Sequence, residues 1–158
     1  MKLKSILFML IAAFTMMACS DDETANELPG AADKVAGTYK GEAKMVVGSS
    51  ELPATFDVVL AKKDANTVAV KLEGDPNSQD KMSIKNLVVE DVKVAENSGA
   101  FTLSKEIGEE GIKAQDGDMV WTISNVSGSI ADNALQLTVV GKPGSMPMPI
   151  NITFTGKK

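Results

Sequence analysis

Apolar residues recur at every second position through most of this chain, and that period constrains the fold more than any other feature. Ala54, Phe56, Val58 and Leu60 alternate with Thr55, Asp57, Val59 and Ala61, and Val68, Val70 and Leu72 alternate with Thr67, Ala69 and Lys71. Leu135, Leu137 and Val139 alternate with Gln136, Thr138 and Val140; Ile150, Ile152 and Phe154 alternate with Asn151, Thr153 and Thr155. Successive side chains of a strand point to opposite faces, so each run buries one face and wets the other. That is the pattern of antiparallel sheets, and no strong helical period competes with it.

The punctuation agrees. Asp64-Ala65-Asn66 joins two of these runs as a hairpin turn, and Asp132-Asn133 leads into the 134–141 run. In the stretch 118–130, Met119, Trp121 and Ile123 share one parity while Val126, Gly128 and Ile130 take the other, which places a bulge near Ser124-Asn125. Met82, Ile84, Val88, Val92 and Val94 share parity across Glu90-Asp91, which reads as two short strands. Phe101 and Leu103 mark another strand, and residues 105–117 read as a solvated loop. The expectation is an all-β domain over residues 34–158, with about eight strands in an antiparallel up-and-down barrel. A two-sheet β-sandwich is the alternative, because parity alone does not separate the two.

The N-terminus reads as an address. Lys2 and Lys4 precede an apolar run ending near Met17, too short for a span of about 20 residues and ordered like a secretory signal. Met16-Met17-Ala18-Cys19 resembles a bacterial lipobox, which implies a signal peptide over residues 1–18 and a lipidated Cys19. Cys19 is the chain's one cysteine, so no disulfide competes for it. Two or more acyl chains hold a protein stably at a bilayer, where one does not. Ser20, Asp21, Asp22 and Glu23 resemble the acidic export signal of surface lipoproteins of the Bacteroidota, which implies the outer membrane and an outward face, with the periplasmic face as the alternative. Residues 19–33 then form the lipidated Cys and an acidic flexible tether; a coil of about 14 residues reaches roughly 20 Å.

Several functions are excluded or disfavoured by composition. The formal net charge is −5 and all sixteen basic residues are Lys. An acidic chain has no footprint for nucleic acid, and it repels anionic lipid, so the lipid carries the membrane attachment. With no His, the Ser-His-Asp and Cys-His catalytic systems are impossible, and with one Cys the usual zinc and copper sites are absent.

The opening Val35-Ala36-Gly37-Thr38-Tyr39-Lys40-Gly41, the Val126–Ile130 segment, Leu135-x-Leu137-x-Val139 and the closing Phe154-Thr155-Gly156 resemble the calycin-like (lipocalin-like) β-barrel domains of Bacteroidota lipoproteins over residues 34–158. In calycins more widely, a Gly-x-Trp on the first strand closes one barrel end beneath an Arg near the last strand. The resemblance gives Gly37 and Tyr39 that barrel-closing part, with Lys157 in place of the Arg this chain lacks.

Chemistry-bearing residues are sparse. The carboxylate pairs Asp116/Asp118, Glu109/Glu110 and Asp21/Asp22 all sit in polar or Gly-rich stretches, where charge is ordinarily solvated. Asp75-Pro76-Asn77-Ser78-Gln79-Asp80 and Asp116-Gly117-Asp118 cluster oxygen atoms of the kind calcium takes, but neither fits the EF-hand spacing and both read as turns. The expected function is therefore a non-enzymatic binding module with no metal or cofactor. Its ligand is a small apolar molecule in the barrel mouth near Trp121, Met119, Met146 and Met148. A packed barrel acting as a protein-interaction or inhibitor-type lipoprotein is the second reading, and a carbohydrate-binding or carboxylate-based hydrolase the weakest. A monomer is expected.

Overall fold

The alternating runs all become strands of one sheet. The computed structural model describes residues 29–80 and 82–158. A one-turn-and-a-half helix, α1 (Ala31–Val35), precedes β1 (Gly37–Val47), β2 (Ser50–Ala54), β3 (Asp57–Asp64), β4 (Thr67–Glu73) and β5 (Asn86–Asn97). Then follow β6 (Ala100–Ser104), β7 (Ile112–Asp116), β8 (Met119–Ala131), β9 (Ala134–Pro143) and β10 (Ile150–Lys157). The order runs β10-β9-β8-β6-β5-β4-β3-β1, with β10 returning to pair with β1 from Lys40↔Lys157 to Val47↔Ile150. That closure makes an eight-strand antiparallel barrel with two extra strands and rejects the sandwich. A closed barrel has no sheet edge to protect along its seam.

The two extra strands arise where one wall position is filled in two pieces. β1 pairs β3 through Gly37–Tyr39 and β2 through Ala43–Val47. The alternation from Ala54 to Ala61 thus spans a break at Thr55-Phe56 that parity could not show. Likewise β6 takes one half of the gap between β5 and β8, and β7 the other. The region 105–117, expected as a loop throughout, therefore ends in a strand: Ile112, Ala114 and Asp116 alternate inward there.

β5 corrects a second expectation. It is one continuous strand with a bulge, not two strands. Glu90 and Asp91 together oppose Ala69, and Asp91 sits at φ 55°. The extra residue switches the inward parity from Leu87 and Val89 to Val92 and Val94, so Val88 is only half-buried. The bulge expected near Ser124-Asn125 is present, between the pairs Ile123↔Gly141 and Asn125↔Val140.

The interior is a packed core. Phe56, Val58, Leu60, Val70, Leu72, Leu87, Trp121, Ile123, Leu137, Ile152 and Phe154 belong to one buried cluster that extends up to Val35 and Ala32 of α1. The Phe56 and Phe154 rings stack with centroids 5.9 Å apart. An eight-stranded barrel is only just wide enough for its own side chains, and here they meet in the middle.

One barrel end is closed by both chain ends of the domain. The Ala32 N–H donates to the Ala65 carbonyl, 3.0 Å, which pins α1 over the β3–β4 turn. Residues 31–33, expected as the end of the tether, are thus helical, with Ala31 and Ala32 buried. Tyr39 lies beneath the helix, 1 % exposed. Gly37 has φ 145°, in the region that favours glycine, and the Lys158 side chain occupies the space a Cβ there would need. Lys158 Nζ also donates to the Lys34 carbonyl, 3.4 Å. The latch expected of Lys157 falls to Lys158, because the outward parity of β10 exposes Lys157.

Candidate functional site

The opposite end carries the long connections, and its geometry starts from Asp116. The period-two run Ile112-Lys113-Ala114-Gln115-Asp116 turns Asp116 inward, and the Gly117-Asp118 turn, with Gly117 at φ 58°, sets Met119 directly across from it. Asp116 is 4 % exposed, the one buried charged residue among the described residues. Its Oδ1 accepts the backbone N–H of Lys85 at 2.9 Å and of Asn86 at 2.6 Å. A buried carboxylate must be hydrogen-bonded to be tolerable, and this one is satisfied by hooking the β4–β5 loop to the barrel rim.

That loop, residues 74–85, folds over the mouth. Its neck is closed by Gly74 N–H donating to the Lys85 carbonyl, 3.0 Å. Ile84 is buried and Met82 packs against the core, so the loop caps the barrel with apolar side chains. Its polar residues shape the cap. Asp75 Oδ1 accepts the Asn77 N–H at 2.8 Å, and Asp80 Oδ1 accepts the Met82 N–H at 2.9 Å. These are Asx turns, in which a carboxylate stands in for a backbone carbonyl. The oxygen cluster read from the sequence as a possible calcium loop is therefore engaged within the loop itself. No group of three His, Cys, Asp or Glu side chains converges to hold a metal ion among the described residues.

Two clefts flank the cap. The larger, about 410 Å³, is lined by Ser78, Asp80, Lys85, Asp116, Asp118 and Met119, with Val120 and Gly144 at its margin. The smaller, about 210 Å³, runs between the loop and the β1–β2 side, against Met45 and Phe56, and shares Ser78, Asp80 and Ser83 with the first. The larger lies within the size range of small-molecule sites.

The residues expected to bind a ligand are divided among different places. Met119 lines the larger cleft. Trp121, one inward position deeper, is buried in the core, where the Gly141 backbone leaves room for its ring. Its indole N–H meets no acceptor among the described residues. Met146 packs against the core, and Met148 stands 48 % exposed beside Gly48. Neither lines the larger cleft. Asp116 and Asp118, weighed in the sequence only as a carboxylate pair or calcium ligands, do line it. The inward period of Ile112, Ala114 and Asp116 was the signal that placed Asp116 on a strand and not in a solvated loop. Glu109 and Glu110 are exposed on the β6–β7 connection. Cys19, the Ser20–Glu23 segment and the signal peptide lie outside the described residues.

The profile of the calycin-like beta-barrel domain family matches residues 35–157. The chain belongs to that family. Among solved structures, this calycin-like barrel is similar to a protein of Bacteroides fragilis NCTC 9343 provisionally assigned as an outer membrane protein. The two share 27 % sequence identity and superpose with a TM-score of 0.71 over 84 % of this chain and 54 % of the other. The chain thus spans about half the length of that protein. No curated protein matches it. Within the calycin-like barrel, the helix-capped end and the closed β1–β10 seam are framework, and the loop-bearing mouth is where a site can vary.

Proposed function

We propose that this calycin-like barrel is a non-enzymatic binding module, held to the outer membrane by lipid on Cys19, whose mouth faces away from the bilayer. The observation that carries this reading is polarity. The described chain enters at Pro29-Gly30, where Gly30 packs on Ala65 of the β3–β4 turn and α1 covers that end. The cleft lined by Asp116 and Met119 opens at the other end. A tether attached at the covered end directs the open end outward. The similarity to a Bacteroides fragilis protein provisionally assigned to the outer membrane supports the location.

Binding is preferred to catalysis for a chemical reason. Of the carboxylates in the cleft, Asp116 spends one oxygen on two backbone N–H groups, and Asp118 is exposed. A general acid and base need two carboxyls poised on opposite sides of a substrate, whereas here one is tied to the loop backbone and the other stands in solvent. The packed interior supports ligand capture at the mouth, not within the barrel.

Orientation is tested on intact cells with a membrane-impermeant maleimide. Asn77→Cys, in the cap loop, should label rapidly, and Asn97→Cys, at the covered end, at least several-fold more slowly. Equal labelling, or faster labelling of Asn97→Cys, overturns the outward mouth. Cys19→Ala should move the protein to the soluble fraction, and membrane retention of that variant overturns the anchor.

A further inference from the structure

We infer that Asp116 is a two-position switch at the barrel mouth, holding the strap Met82–Asn86 of the cap loop in one position and the Trp121 indole in the other. Trp121 supplies the starting observation. Its side chain is 2 % exposed, yet its indole N–H meets no acceptor among the described residues, the one buried side-chain polar atom there of which that is true. An orphaned buried donor is costly, and native folds keep few. The strand register tells where its N–H edge faces. Trp121 pairs with Ala114 of β7 on one side and with Pro143 of β9 on the other. Its Cε3 lies against Gly141 of β9, deeper in the barrel, where a Cβ would come within 3.3 Å. Cε3 and Nε1 lie on opposite edges of an indole, so the N–H edge is turned toward β7 and the mouth. The inward residue on that diagonal is Asp116, which pairs with Met119. Diagonal neighbours on one face of a sheet are within reach of aromatic and long side chains.

Asp116 is engaged elsewhere. Its Oδ1 accepts the N–H groups of Lys85 at 2.9 Å and Asn86 at 2.6 Å. Those amides end the strap, whose other holds are the buried Ile84, the packing of Met82 and the Gly74 N–H on the Lys85 carbonyl. Facing the strap, Asp116 leaves the indole without a partner. When the strap lifts, the Lys85 and Asn86 amides pass to water. The freed carboxylate rotates about its Cα–Cβ bond and accepts the indole N–H, which keeps it off the strap and the mouth open. Lifting is costly because Ile84 leaves the core, and the new hydrogen bond offsets part of that cost. A donor satisfied only in the second position shifts the equilibrium toward it. The inference concerns the motion of the fold, goes beyond the binding-module reading and holds whatever the mouth takes.

The test follows the indole N–H of Trp121, the chain's one Trp, by NMR of the isotope-labelled full chain in detergent, together with amide exchange of Lys85 and Asn86. A hydrogen bond to a carboxylate moves an indole proton downfield. Ile84→Ser weakens the strap, so it should move that resonance downfield, and the same change combined with Asp116→Ala should not. Trp121→Phe removes the donor that favours the open position, so it should slow exchange of the Lys85 and Asn86 amides several-fold. A role in packing alone predicts the opposite, because the smaller ring loosens the mouth and speeds that exchange. Either experiment decides if the other's variant does not fold. An indole resonance that stays in place in Ile84→Ser, or moves equally in the double variant, overturns the switch. So does a parent indole proton already in the downfield position, which would mean that a fixed water satisfies it. Unchanged or faster exchange in folded Trp121→Phe overturns it as well. None of these outcomes bears on the maleimide experiment, which tests orientation alone.

Discussion

The Tyr39 hydroxyl donates to the Val35 carbonyl 2.8 Å away, so the first strand of the barrel holds the last residue of the helix that covers it. Both partners are buried. Tyr39→Phe keeps the ring and removes the donor, leaving a buried carbonyl unpaired. A neutral buried hydrogen bond contributes about 1 kcal/mol net, and somewhat more when its partner is left unsatisfied. Urea unfolding of Tyr39→Phe should therefore show a loss of about 1–2 kcal/mol with an unchanged slope. No loss would mean that α1 is held by its apolar contacts alone.

The same side chain sets an alkaline limit. Burial pushes the Tyr39 phenol above its ordinary value, because the phenolate is costly away from water. The folded value lies above the unfolded one, so the associated stability is complete below about pH 10 and is lost as pH rises through the folded value. Tyr39 is the chain's one Tyr, so tyrosinate absorbance reports it without interference. The absorbance should rise late, together with the loss of β-sheet circular dichroism. In Tyr39→Phe that coupled alkaline step should be absent.

On the acid side the sign reverses. The Lys62 hydrogen bond lowers Asp33, the Thr67 hydroxyl lowers Asp64, and Lys63 lowers Asp91. Depressed carboxyls contribute stability that is present above the ordinary carboxylate range and lost as pH falls through their folded values. Unfolding midpoints should hold from neutral pH to about pH 5 and decline below about pH 4. All three groups lie at the surface, so the decline should shrink in molar salt. Asp91→Asn also removes one partner of Lys63, which bridges to Glu90 at 2.9 Å and Asp91 at 2.8 Å across the β5 bulge. Its acid limb should be shallower than that of the parent chain.

Periodicity revealed the barrel walls and missed the places where one wall position is shared. Val58, Leu60, Val68, Leu72, Leu137 and Ile152 all face inward as their alternation demands. Parity is blind to partner choice, however. It could not show that Ser50–Ala54 folds back on β1 while Asp57–Asp64 continues the wall, because both pieces keep the same phase. The Glu90-Asp91 bulge defeated the reading differently: an extra residue resets the phase within one strand, and a break between two strands leaves the same trace in the sequence. The site was the least legible part. Asp116 follows an inward alternation of only three residues, and its loop partners lie 30 and 31 residues away, beyond the reach of any local pattern. Met146 and Met148 share a parity across Pro147, yet one packs inward and the other stands exposed, because a connection without ladder pairing imposes no alternation.

Asp116→Ala separates the role of the cap loop from that of the walls. The change strips both Lys85 and Asn86 N–H groups of their acceptor. The cost should be about 1 kcal/mol or somewhat more, because both donors are only part-buried. The loss should be local: limited proteolysis should cut within residues 75–83 faster than in the parent, while amides of β4 and β9 keep their exchange protection. Uniform loss of protection would show that the hook is part of the global fold.

The seam where the barrel closes offers the sharpest steric test. Gly41 faces Gly156 across β1 and β10. A Cβ on Gly156 would lie 2.5 Å from Phe154 Cζ and 2.6 Å from the Lys40 carbonyl oxygen, because the Phe154 ring folds over the bare backbone there. A Cβ on Gly41 would meet the Thr155 carbonyl oxygen, which the strand pairing fixes in place. Neither clash can be relieved by a side-chain rotation alone: one involves the ring stacked on Phe56, and both involve backbone. Gly156→Ala and Gly41→Ala should each cost about 1–3 kcal/mol, the range for forcing extra atoms into a packed region. Gly108, on the exposed β6–β7 connection, has nothing within 4 Å of its would-be Cβ. Gly108→Ala should be neutral or mildly stabilising, since it restricts only the unfolded chain. Urea unfolding of the three variants checks the contrast. Equal effects at all three positions would mean that the seam tolerates side chains, and that its two glycines are not required for closure.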